Sequence, residues 1–385
     1  MILILELIAA AGTLASVAYY IVCLWCAAAF LRKKKTATSG TARGLPVSIL
    51  KPLKGTDPEM YESFRSHCLQ NYLNYELIFG VNDATDPVVE LVERLKQEFP
   101  DRAIRLILCS PGAGANRKIV NLSQMMEVAR HEIVIVNDSD IRVAPDYLQR
   151  VTLPLTDQTI GLVTCLYRGI ANRSIGSKLE SLGISTDFAA GVLVAKKLEG
   201  IKFGLGSTLA FRRRDLEAIG GFEPLADYLA DDYQLGARIA AKGLKGELSD
   251  VVVDTFLPEY TTQQFIDHQL RWARTVRDSR FWGYVGLGFT FGLPWALLGL
   301  ALSDGAGWAW ALLAAAFILR VLVASLVGQS VLDDRQLSSF LYLLPVRDIV
   351  AFFVWIASFT GHTIHWRGEV FQLRDGKLVR KESAE

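Results

Sequence analysis

Three acidic clusters and one arginine–tryptophan pair are the residues of this chain best equipped for chemistry. They read Val81-Asn82-Asp83-Ala84-Thr85-Asp86, Asn137-Asp138-Ser139-Asp140, Ala230-Asp231-Asp232 and His268-Gln269-Leu270-Arg271-Trp272. Carboxylates at strand ends can hold a divalent cation against a diphosphate and take a proton from an attacking hydroxyl. Asp138-Ser139-Asp140 is the sharpest local signal, because two carboxylates one residue apart, after an apolar run, can present oxygens to one hard cation, Mg²⁺ or Mn²⁺. An isolated Asp-x-Asp is more often an N-cap or a solvated turn; the presence of the other clusters favours the metal reading.

Positioning these groups requires strands that end where the carboxylates begin. From Pro46 the chain alternates apolar runs with amphipathic ones. Residues 47–50, 76–81, 104–109 and 132–138 read as buried strands, and 58–70, 87–98 and 117–130 as the helices between them. That alternation predicts an α/β domain with a mostly parallel sheet covered on both faces. Ligands of such sheets bind beyond the carboxyl ends of the strands, where Asp83, Asp138 and Asp140 fall. Residues 160–255 are less regular and read as the acceptor side.

Lys118 opens a helix after the flexible stretch Gly112–Ala115, a placement suited to an anionic nucleotide; a solvated lysine is the blander reading. Asp86-Pro87 reads as a helix start, with Asp86 capping. Asp231 reads the same way, as a cap for a helix over 232–242. Arg271, Arg274, Arg277 and Arg280 recur every third residue among aromatics, which also describes a helix lying on an anionic membrane surface. Residues 188–205 form an apolar, basic-flanked stretch of the same kind.

The ends of the chain are apolar. Residues 1–31 read as a membrane anchor, with 7–31 long enough to span, and the basic linker 32–44 begins with Arg32-Lys33-Lys34-Lys35. Positive charge abutting a span places the following domain, 45–258, in the cytoplasm. Residues 259–284 read as an amphipathic interfacial helix and 285–364 as membrane segments, with apolar runs at 285–302, 307–327 and 339–361. Pro345, Arg347 and Asp348 interrupt the last, leaving a span or a re-entrant hairpin open. Arg320, inside a run, reads as a snorkelling side chain, and 365–385 as a basic tail. The 385 residues carry 41 Lys and Arg against 40 Asp and Glu, which gives no sign of a nucleic-acid partner. Five cysteines form no disulfide framework, and Cys23-x-x-Cys26 has no second pair to complete a metal site.

The order of these elements resembles that of inverting, nucleotide-sugar-dependent glycosyltransferases. Within them it is most similar to the ceramide glucosyltransferase family, which includes bacterial relatives that glycosylate hopanoid lipids. The similarity covers 46–282 and is carried by KPLKG (51–55), VNDATDP, DSDIRV, the ADDY block and the Arg-Trp pair. It implies a GT-A-like domain tethered by membrane helices at both ends. It also implies donor contacts at Lys51, Asp83 (to the uridine), Lys118 and Asp138, and a metal site at Asp140 and Asp138. By the same resemblance Asp232 is the general base, and Arg271 and Trp272 sit over the diphosphate and acceptor. Asp231, His268 and Gln269 are additional candidates; His268 stands where the family carries Gln or Arg. Thr186 stands where the ceramide branch carries a histidine, so the chain looks more like the hopanoid branch. That branch implies transfer of N-acetylglucosamine from a UDP-sugar to bacteriohopanetetrol at a bacterial inner membrane. The alternatives are a ceramide glucosyltransferase using UDP-glucose, a processive polysaccharide synthase and a non-catalytic membrane scaffold.

Overall fold

A computed structural model describes residues 1–36, 44–366 and 369–380; most of the 36–44 linker, together with Arg367 and Lys381, lies outside them. The central sheet has eight strands in the order β3-β2-β1-β4-β7-β6-β8-β5. They are β1 (Val47–Pro52), β2 (Tyr75–Val81), β3 (Ala103–Leu108), β4 (Ile133–Val136), β5 (Ile141–Arg142), β6 (Ile160–Ile170), β7 (Leu209–Arg212) and β8 (Lys245–Phe256). Pairings β3·β2, β2·β1, β1·β4 and β6·β8 are parallel, whereas β4·β7, β7·β6 and β8·β5 are antiparallel. Every residue of β1, β2 and β4 is buried, as continuous apolar strands covered on both faces require. The exception to the expected burial is β3, which is only partly covered because it lies at the sheet edge.

Successive side chains of these strands supply two cores. Ile49, Leu77, Phe79 and Ile135 pack with residues of α2 (Met60–Cys68) and α3 (Val88–Glu98). On the other face, Leu50, Ile78, Val134 and Val136 pack with Ile119, Leu122 and Met125 of α4 (Arg117–Val128). Asn116 starts α4 by accepting the backbone N–H groups of Lys118 and Ile119, so Lys118 is held at the helix's first turn.

Among the described residues three helices are long and apolar enough to cross a membrane: Ile2–Lys34, Gly307–Val331 and Leu337–Ser358. A fourth candidate is a bent pair, Phe281–Thr290 and Gly292–Leu302, which turn by 54° at their junction. The apolar run 285–302 is therefore not one straight span. The run beginning at 339 is not a hairpin either. Pro345 sits in the first turn of the helix Leu344–Ser358, where its missing N–H costs nothing. Helix α1 (Ile2–Thr36) packs directly on the α/β domain. Tyr20, Cys23, Cys26 and Ala27 join Leu166 of β6, Leu248 of β8 and Ala189, Ala190, Val192 and Leu193 in one core. The stretch at 188–205 thus docks on the anchor helix. All five cysteines are free and buried, as packing residues.

Two further expectations change. Of the four arginines read as facing a membrane surface, Arg274 and Arg277 in the helix Thr262–Ser279 make contacts inside the protein, while Arg280 pairs with Glu199 at the exposed surface. Arg274 donates to the Thr363 carbonyl, and Arg277, 3 % exposed, donates to the carbonyls of Ser358 and Gly361. A cation at the carboxyl end of the last membrane helix complements its dipole. The segment read as a basic tail carries structure: β9 (Thr363–Trp366), β10 (Glu369–Arg374) and β11 (Lys377–Arg380) form an antiparallel sheet. Asp375 and Gly376 both have positive φ in the connecting turn, the backbone a two-residue hairpin needs. Ile364, Phe371, Leu373 and Leu378 of this sheet pack beneath Leu229, next to Asp231 and Asp232.

Candidate active site

The loop after β4 is fixed from several sides before it reaches solvent. Buried Asn137 donates to Tyr147 Oη (3.0 Å) and to the Ser207 carbonyl (2.6 Å). The Asp138 backbone N–H donates to the Gly206 carbonyl (3.2 Å), and Lys51 Nζ donates to the Asp138 carbonyl (2.9 Å). Ser139 donates to Asp57 (2.6 Å). Lys51 thus lies beneath the Asp138–Asp140 loop and supports it. Burial lowers its pKa to about 7 even though Asp140 and Asp138 pull the other way.

Four carboxylates converge on the cleft above. Lys118 Nζ bridges Asp138 Oδ1 (2.9 Å) and Asp231 Oδ2 (3.1 Å). Burial opposes its charge, but Asp138, Asp231 and Asp232 more than offset that, and its pKa is raised. Asp231 does not cap the helix Asp231–Ala241, whose N-cap is Ala230 without a side-chain hydrogen bond; its carboxylate instead accepts from Asn116 Nδ2 (3.2 Å), tying the start of the helix to α4. Asp232 Oδ2 accepts the Gly206 N–H (2.9 Å) and Oδ1 that of Tyr233 (2.7 Å). Burial, then the charge of Asp231, raises its pKa to about 6, against the pull of Lys118. Asp140 accepts the Thr255 hydroxyl, and burial followed by the Asp138 charge raises its pKa to about 6 as well. Gly206 lies between two of these groups. A Cβ there would fall 2.6 Å from Asp138 Oδ2 and 3.6 Å from Asp232 Oδ2, so a side chain would drive the carboxylates out of place.

The Arg-Trp element closes the other wall. His268 stacks on Tyr260 (centroids 5.5 Å apart) and its Nδ1 lies 2.9 Å from Glu180 Oε2. Trp272 meets the His268 ring edge-on at 5.0 Å, and Gln269 and Arg271 line the same cleft. Asp83 is not brought to the cavity wall. Its exposed carboxylate is turned onto Thr85, accepting from both the backbone N–H (2.8 Å) and the hydroxyl (2.7 Å), and its neighbour Asn82 lines the cavity instead. Asp86 accepts the Val88 N–H (3.0 Å), the capping role read for it.

These walls bound one cavity of about 1110 Å³. It reaches from Lys118, Asp138, Asp140, Asp231 and Asp232 to Tyr19 and Tyr20 of α1, Phe291, Arg320, Arg347 and Trp355. Sequence reasoning missed several lining residues. Trp366, Glu369 and Phe371 come from the carboxy-terminal sheet, whose alternating VFQLRDGKLVR with a central Asp-Gly was a readable hairpin signal. Nothing local in the sequence marked Glu180 or Thr255. Arg320 does not snorkel: it is 2 % exposed and donates to both oxygens of Asp348.

Among the described residues no group of three or more His, Cys, Asp or Glu side chains could hold a metal unaided. Asp138 and Asp140 both face the cavity. Two carboxylates with room beside them fit a hard cation that completes its shell with water and phosphate oxygens.

Residues 8–379 match the family described as Glycosyl transferase family 21. The chain belongs to that family. It is 26 % identical over 352 residues to ceramide glucosyltransferase 3 of Caenorhabditis elegans, covering 86 % of this chain and 74 % of the relative. It is 24 % identical over 347 residues to ceramide glucosyltransferase 1 of the same organism, covering 87 % and 73 %. Its structure resembles that of the mannosyltransferase PcManGT from Pyrobaculum calidifontis in complex with GDP-Man and Mn²⁺, with a TM-score of 0.55, 22 % identity, and coverage of 91 % of this chain and 99 % of that one. The family 21 chain is thus a nucleotide-sugar-dependent glycosyltransferase with a GT-A-like α/β fold and candidate membrane helices at both ends.

Proposed function

We propose that this enzyme moves N-acetylglucosamine from its UDP carrier to a hydroxyl of a membrane lipid, a hopanoid polyol such as bacteriohopanetetrol, with inversion at the anomeric carbon. The observation that carries the lipid reading is the single cavity joining the carboxylate cluster to the apolar helices. The ceramide glucosyltransferase names of the two nematode relatives support a lipid acceptor. The hopanoid and the sugar rest on the sequence resemblance at Thr186.

In this reading Asp232 takes the proton of the acceptor hydroxyl as that oxygen attacks the anomeric carbon from the face opposite the diphosphate. The glycosidic C–O bond forms while the bond to UDP breaks. Held by the backbone N–H groups of Gly206 and Tyr233, the Asp232 carboxylate is oriented before substrate arrives. Its pKa near 6 makes it a better proton acceptor than an ordinary aspartate while leaving it ionised at neutral pH. Lys118 and Arg271 carry positive charge towards the diphosphate, and Trp272 packs on sugar or lipid. Asp138 and Asp140 would hold Mg²⁺ or Mn²⁺, which would neutralise the departing diphosphate; the Mn²⁺ named with PcManGT supports this. Lys51 acts by supporting their loop, and Asp83 reaches the uridine by releasing Thr85. Arg32 to Lys34 at the end of α1 favour a cytoplasmic catalytic domain in the bacterial inner membrane.

The test is to incubate the purified full chain with a panel of UDP-sugars and either bacteriohopanetetrol or ceramide, then identify products by mass. The expected product is N-acetylglucosaminyl bacteriohopanetetrol. Glucosylated ceramide alone would overturn the acceptor and sugar assignments, and long polymer would revive a processive synthase.

A further inference from the structure

The membrane end of the cavity holds a charged cluster that donor chemistry does not use. Arg347 is 9 % exposed and lines the cavity. Its Nη2 lies 3.5 Å from Asp187 Oδ2, while Nε and Nη1, both buried, have no hydrogen-bond partner. Buried guanidinium donors without an acceptor are uncommon and call for a reason. The neighbouring Arg320 shows what a satisfied arginine looks like here. It donates to both oxygens of Asp348, to the carbonyl and hydroxyl of Thr186 and to Asp187 Oδ1 (2.5 Å).

Two local features show that the Arg347 position is built. A Cβ on Gly183 would fall 2.4 Å from Arg347 Nη2 and 2.5 Å from Nε, so the guanidinium lies against a backbone that only glycine leaves open. The next residues, Ile184–Phe188, form one turn of π-helix, a distortion that is frequent at functional sites. Asp187 projects from that turn, lines the cavity and keeps 38 % of its side chain exposed.

We propose that Arg347 and Asp187 form the headgroup-recognition subsite for the acceptor and select an uncharged headgroup bearing several hydroxyls. This rests on the reading of the enzyme as a lipid glycosyltransferase. A hydroxyl is both donor and acceptor, so one can accept from the Arg347 guanidinium once the side chain turns its unpartnered Nε or Nη1 out of the buried position, while another donates to the half-exposed Asp187 carboxylate. Two arginines and two aspartates balance, so the cluster offers an anionic headgroup no net attraction, and Asp187 would repel it.

The experiment uses the full chain in detergent, with UDP-sugar and three acceptors sharing one hydrocarbon anchor. One carries a single hydroxyl, one carries four, and one carries a phosphate beside its hydroxyl. For Arg347→Gln the acceptor KM for the polyol should rise about tenfold or more, the loss of a charge-assisted hydrogen bond. The UDP-sugar KM should stay within about twofold, as expected when only acceptor binding is lost. The preference for polyol over mono-ol should collapse. Asp187→Asn, which leaves the Arg320–Asp348 pair in place, should act in the same direction and serves if the arginine variant does not fold. Unchanged acceptor KM and preference, parallel rises in both KM values, or a wild-type preference for the phosphate-bearing acceptor would overturn the subsite. A wild-type enzyme that binds UDP yet glycosylates no lipid would instead bring down the lipid-acceptor reading, and the subsite with it.

Discussion

Buried charge is handled differently at the two ends of the cavity. At the sheet end four carboxylates face Lys118 and Arg271, with Lys51 beneath them, its pKa lowered by burial. Its carboxylates crowd the cleft, although the group it is to receive is itself an anion. At the membrane end two arginines meet two aspartates and the charges balance. In the proposed mechanism the donor end needs a cation to receive its diphosphate, whereas the proposed headgroup subsite is balanced in charge and lacks only hydrogen-bond partners. Metal and proton concentration should therefore control the first end and hardly touch the second.

The largest effect should come from breaking the balance at the membrane end. Arg320→Met strands Asp348 in a buried site and should cost about 3–5 kcal/mol of stability, as for other broken buried pairs; Asp348→Leu should cost less, because Arg320 keeps Asp187 and Thr186 as partners. The double replacement should recover most of that. Thermal unfolding in detergent checks it, and an additive double variant would break the comparison.

Next in size is the cation requirement. Removing divalent metal, or replacing Asp140 with Ala, should weaken UDP binding by about tenfold or more, since each leaves diphosphate facing uncompensated carboxylates. Binding of acceptor alone should be unaffected. Titration calorimetry with UDP and with the polyol acceptor, each with and without Mg²⁺ or Mn²⁺, separates the two ends. Equal metal sensitivity of both ligands would erase the distinction.

The smallest effect is in pH. In the proposed mechanism Asp232 acts as a base only when ionised, and its pKa is raised to about 6 by burial and Asp231, so turnover should be present above pH 6 and lost as pH falls through it. Asp140, also near 6, must be ionised to hold a cation. At limiting metal the acid limb should approach a slope of two, from both groups. At saturating metal the slope should return to one, because the cation displaces the Asp140 proton. A limb centred near pH 4 at every metal concentration would remove the raised Asp232 pKa from the account.

The first four strands were legible in the sequence because each is a short, mainly apolar run between polar ones; three of them are buried on both faces, and the edge strand β3 still carries enough apolar residues to be read. The carboxylates after β4 were legible for the same reason. The antiparallel strand β7 was not, since its four residues carry no period of their own and its partners lie far away in sequence. Arg320 was misread because its partner Asp348 lies 28 residues on, in a run that local hydropathy treats as broken. Asp231 looked like a helix cap because adjacency to Asp232 was visible, while the bridge through Lys118 depends on tertiary placement. Asp83 had the right strand-end position, but side-chain direction, here towards Thr85, is set by turn geometry.

The most direct test of the central claim, that Asp232 deprotonates the acceptor in a cavity otherwise intact, is single-turnover transfer by Asp232→Asn alongside UDP affinity. The isosteric amide can keep both hydrogen bonds from Gly206 and Tyr233 through its one oxygen only in part, but it cannot take a proton. Turnover should fall by about 10²–10⁴, the usual contribution of a general base, with UDP affinity in the presence of Mg²⁺ or Mn²⁺ kept within about threefold. A variant that transfers sugar as fast as the wild type would contradict the assignment.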